Sequence, residues 1–373
     1  MALNFVYMKD KKRLVNFEVL RCALMLMIVF IHFFTHGEKY ASVSSAFCFQ
    51  LNTFFGVINF VFSQIIDTIT VTAVNLFVFI TGYFMIESHK LSVNKIVKLW
   101  VPVVFYSVVI GAFQFWGGNI GLHDFLKSFL PIKGNAYWFV TNYFALILFA
   151  PFLAKIADGF SKNGYLVGLT VMSLLMLEFY KFPYGFTYKN GYGTSLLFFV
   201  LLFFIGGYFR KYGNLIPLKV LHLKNNRQLF YTIVVLVSLY GAMRGICLGE
   251  LKAIVSTTPY HSFTFIVSVA LFQYFLDVKF KETCFTKLCC FLSPYTFAVY
   301  LIHDNNYVRS WLWHDIIRLE NTLNSPYYIL LLLFIPLFIY IICLCIEYLR
   351  VELFNIIGLT RFLRNISYDI KIW

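Results

Sequence analysis

Apolar runs close to 20 residues long recur from one end of this 373-residue chain to the other. About 20 helical residues cross the roughly 30 Å hydrocarbon core of a bilayer, whereas barrel strands need about half that length. Lipid offers no partner to an open backbone N–H or C=O, so such runs have to close their hydrogen bonds within themselves. The expected fold is therefore all-α: a polytopic membrane protein with its spanning helices in one bundle. Charge content agrees. Only 13% of residues are charged, against about 25% in an average soluble domain.

Ten segments qualify as candidate spans: 16–36, 68–87, 96–116, 136–154, 164–180, 194–209, 229–246, 261–277, 291–304 with an extension, and 326–348. The first loop, 37–67, has apolar stretches of its own from Phe54 to Ile66. A re-entrant or interfacial piece is expected there, and an eleventh span is the main alternative. The distribution of basic residues sets the orientation. With both termini in the cytosol, 21 of the 31 Lys and Arg residues fall in cytosolic segments, 9 fall outside, and Arg21 lies within the first span. An extra span in the first loop would reverse every later loop and spoil that excess.

No repeat, low-complexity tract or polar linker divides the chain, so residues 1–373 read as a single domain. The basic start (Lys9, Lys11, Lys12, Arg13) before an apolar stretch resembles a signal peptide. That stretch carries Arg21 and His32 and has no clear small-residue cleavage site, so it is expected to be retained as the first span. The net charge of +14 comes from short basic clusters between apolar runs. It suits membrane topology and argues against a nucleic-acid partner. The eight cysteines are dispersed, with no zinc-ligand spacing and no disulfide framework. No metal is expected.

Ionisable groups inside a span are costly and tend to mark function. Arg21 and His32 lie eleven residues apart in the first span, on one helix face and about 16 Å apart along the axis. Glu18 is placed to pair with Arg21 at i, i+3. His32 can serve as an interhelical hydrogen-bonder or as a general base for a hydroxyl proton. His36, one turn on, reads equally as a gatekeeper or as a solvated residue. Asn75, Thr81 and Gly82 in the second span read as packing chemistry. Lys95 and Lys98 at the next membrane edge are either a topology signal or a pair of point charges for phosphates. Trp138, Asn142 and Tyr143 open the fourth span as an interfacial aromatic cluster or as a sugar-binding surface. His303 and Asp304, followed by two asparagines, form either a hydrated helix end or a polar site.

Taken together, these segments resemble the acyltransferase 3 family, in the branch that O-acylates bacterial surface polysaccharides. The match rests on Arg21 and His32 with ten residues between them, Phe77-Val-Phe-Ile-Thr81-Gly82-Tyr83-Phe84, Tyr137-Trp138-Phe139 running on to Pro151, and Tyr300-Leu-Ile-His303, in that order along most of the chain. The resemblance implies about ten helices in a bacterial inner membrane. It also implies an O-acyltransferase that moves an acyl group, acetyl first among them, from acyl-CoA to a hydroxyl of a glycan or its lipid-linked precursor. His32 would be the catalytic histidine and Arg21 an essential, donor-binding arginine, with Lys95 and Lys98 also at the donor phosphates. Trp138, Asn142, Tyr143, His303 and Asp304 would face the acceptor. Acetyl-CoA would be a substrate, with no cofactor tightly held and membrane lipids as the surrounding partner. Thr81 replaces the usual serine, and Lys95 and Lys98 stand where many members have an arginine pair. The hydrolase-like domain fused to some members is not expected. Two other classes stay open: a transporter or flippase for a polysaccharide or its precursor, and a scaffold subunit of a glycan-synthesis complex.

Overall fold

The computed structural model describes residues 14–38, 49–50, 52–132, 137–177, 195–247, 261–365 and 368–372. The basic start and the loops holding Lys39, Lys133, Lys181, Lys189 and Lys252 lie outside them, as do the ends of the fifth and sixth predicted segments.

The described residues form helices almost throughout. In chain order they are α1 (Val15–His32), α2 (Phe54–Thr70), α3 (Thr72–Met85), α4 (Val93–Trp116), α5 (Leu122–Lys127), α6 (Trp138–Asp158), α7 (Lys162–Met176) and α8 (Leu196–Tyr212). Then follow α9 (Asn226–Cys247), α10 (Ser262–Asp277), α11 (Cys284–Leu292), α12 (Thr296–His303), α13 (Asn306–Ser310), α14 (Tyr328–Ile356) and α15 (Leu359–Asn365). Two π-helices, Phe33–Glu38 and Trp311–Ile317, interrupt this α-helical series.

Each of the ten predicted segments falls on a helix in its described part, and the count of ten spans is not confirmed. Six helices among the described residues are long and apolar enough to cross a membrane: Val15–Glu38, Phe54–Met85, Val93–Trp116, Trp138–Asp158, Cys284–His303 and Tyr328–Ile356. Three of the other four, α7, α8 and α10, are 15, 17 and 16 residues long, shorter than the ~20 of a typical span. The fourth, α9, has the length but a polar start at Asn226, Arg227 and Gln228. A multi-pass membrane protein is what these helices build.

The first loop holds a helix, and that helix does not make a separate span. Val71 N–H still reaches the Asp67 carbonyl, so α2 runs into α3 as one 32-residue apolar stretch. Thr70 and Thr72 turn their hydroxyls onto the Asp67 and Ile69 carbonyls at the junction. The polar side of α2 faces inward: Asn59, Ser63, Gln64 and Asp67 are all buried. Asn59 donates to the Leu323 and Ser325 carbonyls, and Ser63 bonds both Glu38 and Tyr328.

Among the described residues, α3 and α8 share the most extensive helix-to-helix contact. A Cβ built on Gly82 would stand 2.0 Å from the Phe203 carbonyl oxygen, and one on Gly206 would stand 2.1 Å from that of Phe79. The two backbones touch, as small residues allow between membrane helices. Phe79, Phe198, Phe199, Phe203 and Phe272 fill the surrounding core.

Lys90–Ser92 pairs antiparallel with Asp369–Lys371 in a two-stranded sheet. The segment leading into α4 and the segment after α15 therefore share one side of the membrane, with an even number of crossings between them.

Candidate functional site

α1 enters with Arg21 and reaches His32 at its last turn. Arg21 donates to Glu18 Oε1 at 2.8 Å, and the Ser293 hydroxyl donates to the other oxygen of the same carboxylate. The arginine is thus held at the helix start by the predicted i, i+3 pair, while its guanidinium lies 5.7 Å from the Phe84 ring centroid. After His32 the helix widens into the π-helix, a form that often occurs at functional sites. This wider turn carries His36 to 5.2 Å from the His32 ring, centroid to centroid.

Opposite α1, the 3₁₀ turn Ser293–Tyr295 leads into α12, which ends in His303. Tyr137 secures that end: its hydroxyl donates to the Leu301 carbonyl and accepts from Asn305, both at 2.8 Å. The side chain of Asn305 also caps α13 by accepting from Tyr307 N–H, and α13 presents Arg309.

These elements converge on Asp304. Its Oδ1 lies 3.7 Å from His32 Nε2, 3.5 Å from His36 Nε2 and 3.6 Å from Arg309 Nη1. Arg309 supplies a fixed positive charge beside this buried carboxylate. On the far side of His32, Nδ1 lies 2.7 Å from His303 Nε2.

A cavity of about 820 Å³ joins this cluster to the start of α1. Arg21, Lys95 and Lys98 line it, as do His32, His36, Asp304 and Arg309. Met25, Ile28, Phe77, Ile80 and Phe84 supply apolar wall between the two groups of polar residues. Trp138 and Tyr143 add aromatic surface, and Tyr143 bonds Thr81 at 3.0 Å. A cationic region suits an anion such as a phosphate. An apolar wall suits an uncharged arm, and an imidazole paired with a carboxylate suits proton transfer.

Seven of the nine sequence-derived candidates line this one cavity: Arg21, His32, Lys95, Lys98, Trp138, Tyr143 and Asp304. Asn142 instead donates back to the Trp138 carbonyl at 2.9 Å. His303 is buried behind His32 and borders a second, apolar cavity of about 760 Å³ against α14 and the Trp311–Ile317 π-helix.

Two charged residues that line the cavity, Arg309 and Glu347, were not singled out from the sequence. Arg309 reaches Asp304 through the turn at Asn305, which no local motif announces. Glu347 lines the main cavity and holds Arg350 through two 2.7 Å hydrogen bonds, with the Tyr106 hydroxyl donating to the same carboxylate. The signal for that pair was legible: Glu347 and Arg350 stand three apart in an apolar span, as Glu18 and Arg21 do.

His32, His36 and Asp304 each offer a ligand atom, all within 4.8 Å of one another, a set that could hold a metal ion. The Arg309 guanidinium already sits 3.6 Å from the shared carboxylate oxygen. Its fixed positive charge competes with any cation there, so the set reads as a proton-handling cluster.

A family model described as an acyltransferase domain matches residues 14–350. No curated protein and no solved structure matches the chain.

Proposed function

The chain belongs to the acyltransferase 3 family, and from that premise we propose that it transfers an acyl group, acetyl first, from acyl-CoA to a hydroxyl of a cell-surface glycan or its lipid-linked precursor. The observation that carries the reading is the single cavity lined by Arg21, Lys95 and Lys98 as well as by His32 and Asp304. In this reading the donor's phosphates sit at the three cations, on the cytosolic side of a bacterial inner membrane. Its uncharged arm lies along Met25, Ile28, Phe77 and Ile80, with the thioester near His32. The roughly 16 Å of helix between residues 21 and 32 sets the length of that arm.

The acceptor hydroxyl approaches from the Asp304 end, where Trp138 and Tyr143 offer ring faces to a sugar. His32 takes the hydroxyl proton as its oxygen attacks the thioester carbon. The carbon–sulfur bond breaks, the ester forms, and the proton returns from His32 to the departing thiolate. Asp304 stabilises the positive charge on the imidazole while it lasts. Arg309 keeps Asp304 ionised for that purpose.

Donor binding tests the reading directly. Purified protein should bind acetyl-CoA, and the double variant Lys95→Gln, Lys98→Gln should bind it about 10- to 100-fold more weakly, the cost of losing charge-assisted contacts. Isothermal titration measures both constants. Turnover at saturating donor should stay close to wild type. Unchanged affinity in the double variant would remove the lysines from the donor site. A wild-type protein that binds no acyl-CoA would overturn the assignment as a whole.

A further inference from the structure

We propose that His303 is a positioning residue that holds His32 in the tautomer with its proton on Nδ1, leaving the lone pair on Nε2, the nitrogen nearest Asp304. The inference rests on the reading of His32 as the base. It follows from a chain of hydrogen bonds with one fixed end.

The fixed end is the Val299 carbonyl, which lies 2.5 Å from His303 Nδ1. A carbonyl oxygen only accepts, so His303 Nδ1 carries a hydrogen. A neutral imidazole has one donor and one acceptor nitrogen, so His303 Nε2 is then an acceptor. It faces His32 Nδ1 at 2.7 Å, which has to donate. His32 Nε2 is left bare. The opposite tautomer of His32 would set two lone pairs against each other at 2.7 Å.

A doubly protonated ring would also satisfy the contacts, and charge argues against it. Asp304 already has the Arg309 guanidinium 3.6 Å away, so a further buried cation would lack a counter-ion of its own. On its other side His303 borders the apolar cavity, together with Ile302, Leu312 and Phe338.

The consequence is a lone pair on His32 Nε2 that is ready to accept a hydrogen. His32 Nε2 and Asp304 Oδ1 are 3.7 Å apart, and that oxygen has no hydrogen-bond partner among the described residues. The bare Nε2 can accept the one hydrogen of a substrate hydroxyl placed beside it, while His36 Nε2 and Arg309 Nη1 face the carboxylate oxygen at 3.5 and 3.6 Å. A free imidazole ordinarily favours the proton on the other nitrogen, so the useful tautomer has to be imposed. A second group that fixes the tautomer and ring orientation of a catalytic histidine is a recurring arrangement, although a carboxylate more often fills that place.

The experiment is the ring ¹⁵N spectrum of the purified full-length protein with labelled histidine, near neutral pH, with the His32 signals identified by their loss in His32→Asn. The expected wild-type spectrum shows a protonated Nδ1 and a bare Nε2. In His303→Leu the His32 signals should shift toward the Nε2-protonated form. Its kcat should fall at least about 10²-fold with donor KM unchanged, since only the proton-transfer step is impaired. His303→Gln places a carbonyl oxygen within reach of His32 Nδ1, and it should restore the wild-type spectrum and most of the rate. A wild-type ring protonated on Nε2 or on both nitrogens would overturn the proposal. So would a folded Gln variant as slow as the Leu variant. A protein that transfers no acyl group would sink the functional reading alone, because the spectrum decides the tautomer without turnover.

Discussion

Replacing His32 abolishes acyl transfer while the protein stays folded in the membrane: this is the expected result with the largest effect on activity. General acid–base catalysis contributes about 10²- to 10⁴-fold, and loss of the base forfeits it at both ends of the reaction, hydroxyl activation and thiolate protonation. His32→Ala also strands the buried His303 Nε2 without its donor, at about 1–3 kcal/mol, so a weak Ala variant could be blamed on folding. His32→Asn answers that objection. The Asn side-chain amide can donate where Nδ1–H did, and it offers nothing in place of Nε2. Both variants should be inactive, and Asn should match the wild type in thermal stability and in affinity for acetyl-CoA. The measurement is transfer of radiolabelled acetyl from acetyl-CoA to envelope glycan in membranes. An Asn variant retaining more than roughly a tenth of wild-type rate would end the role of His32 as base.

The second large effect falls on folding. Gly82→Val and Gly206→Val are each expected to prevent accumulation of monodisperse protein. A Cβ at either position would meet carbonyl backbone at 2.0 or 2.1 Å, far inside the ~3.5–4.0 Å optimum for non-bonded heavy atoms. The atoms in the way belong to the facing helix itself, so no side chain can swing aside. Adding volume to a tight core costs about 1–3 kcal/mol even where side chains can yield, and here α3 and α8 have to part along their length. The damage would reach the cavity as well, because Thr81, next to Gly82, holds Tyr143 by its hydroxyl. Alanine at each site should lower the thermal midpoint, and valine should remove the monodisperse peak in detergent chromatography. Valine variants with wild-type peak and midpoint would show that the helices tolerate separation.

Hydropathy made the helical architecture and its ten segments legible, since apolar length is a local property of the chain. It does not settle the span count: among the described residues six helices have the length and composition of a span, and α8 and α10 are shorter, at 17 and 16 residues. Nor did it give the second span its N-terminal extension. Asn59, Ser63 and Asp67 recur every four residues along α2, so a polar stripe was present. What turns it inward is contact with Glu38, Tyr328 and the 323–325 backbone, which no local reading supplies. At the site, the eleven-residue interval between Arg21 and His32 was enough to put both on one cavity, because helix geometry is rigid. His303 and Asp304 were taken together for their polarity. Consecutive helical positions point about 100° apart, so one faces the cavity and the other lies behind His32.

The π-helix after His32 has a consequence for chain length. A wide turn accommodates one residue more than the α-helix it interrupts, so the stretch from Phe33 to Glu38 holds one position that a regular helix would not need. Deleting one residue there would let the segment rewind into regular α-helix. His32 would stay on α1, and the next histidine, three or four residues on, would remain on the same helix face. Gly37 marks how little slack there is, since its Cβ would stand 2.8 Å from Leu319 and 3.2 Å from Trp313. Among chains of this type, a length difference of one residue in this stretch would therefore be absorbed by the wide turn itself, with both imidazoles left on the face of the carboxylate.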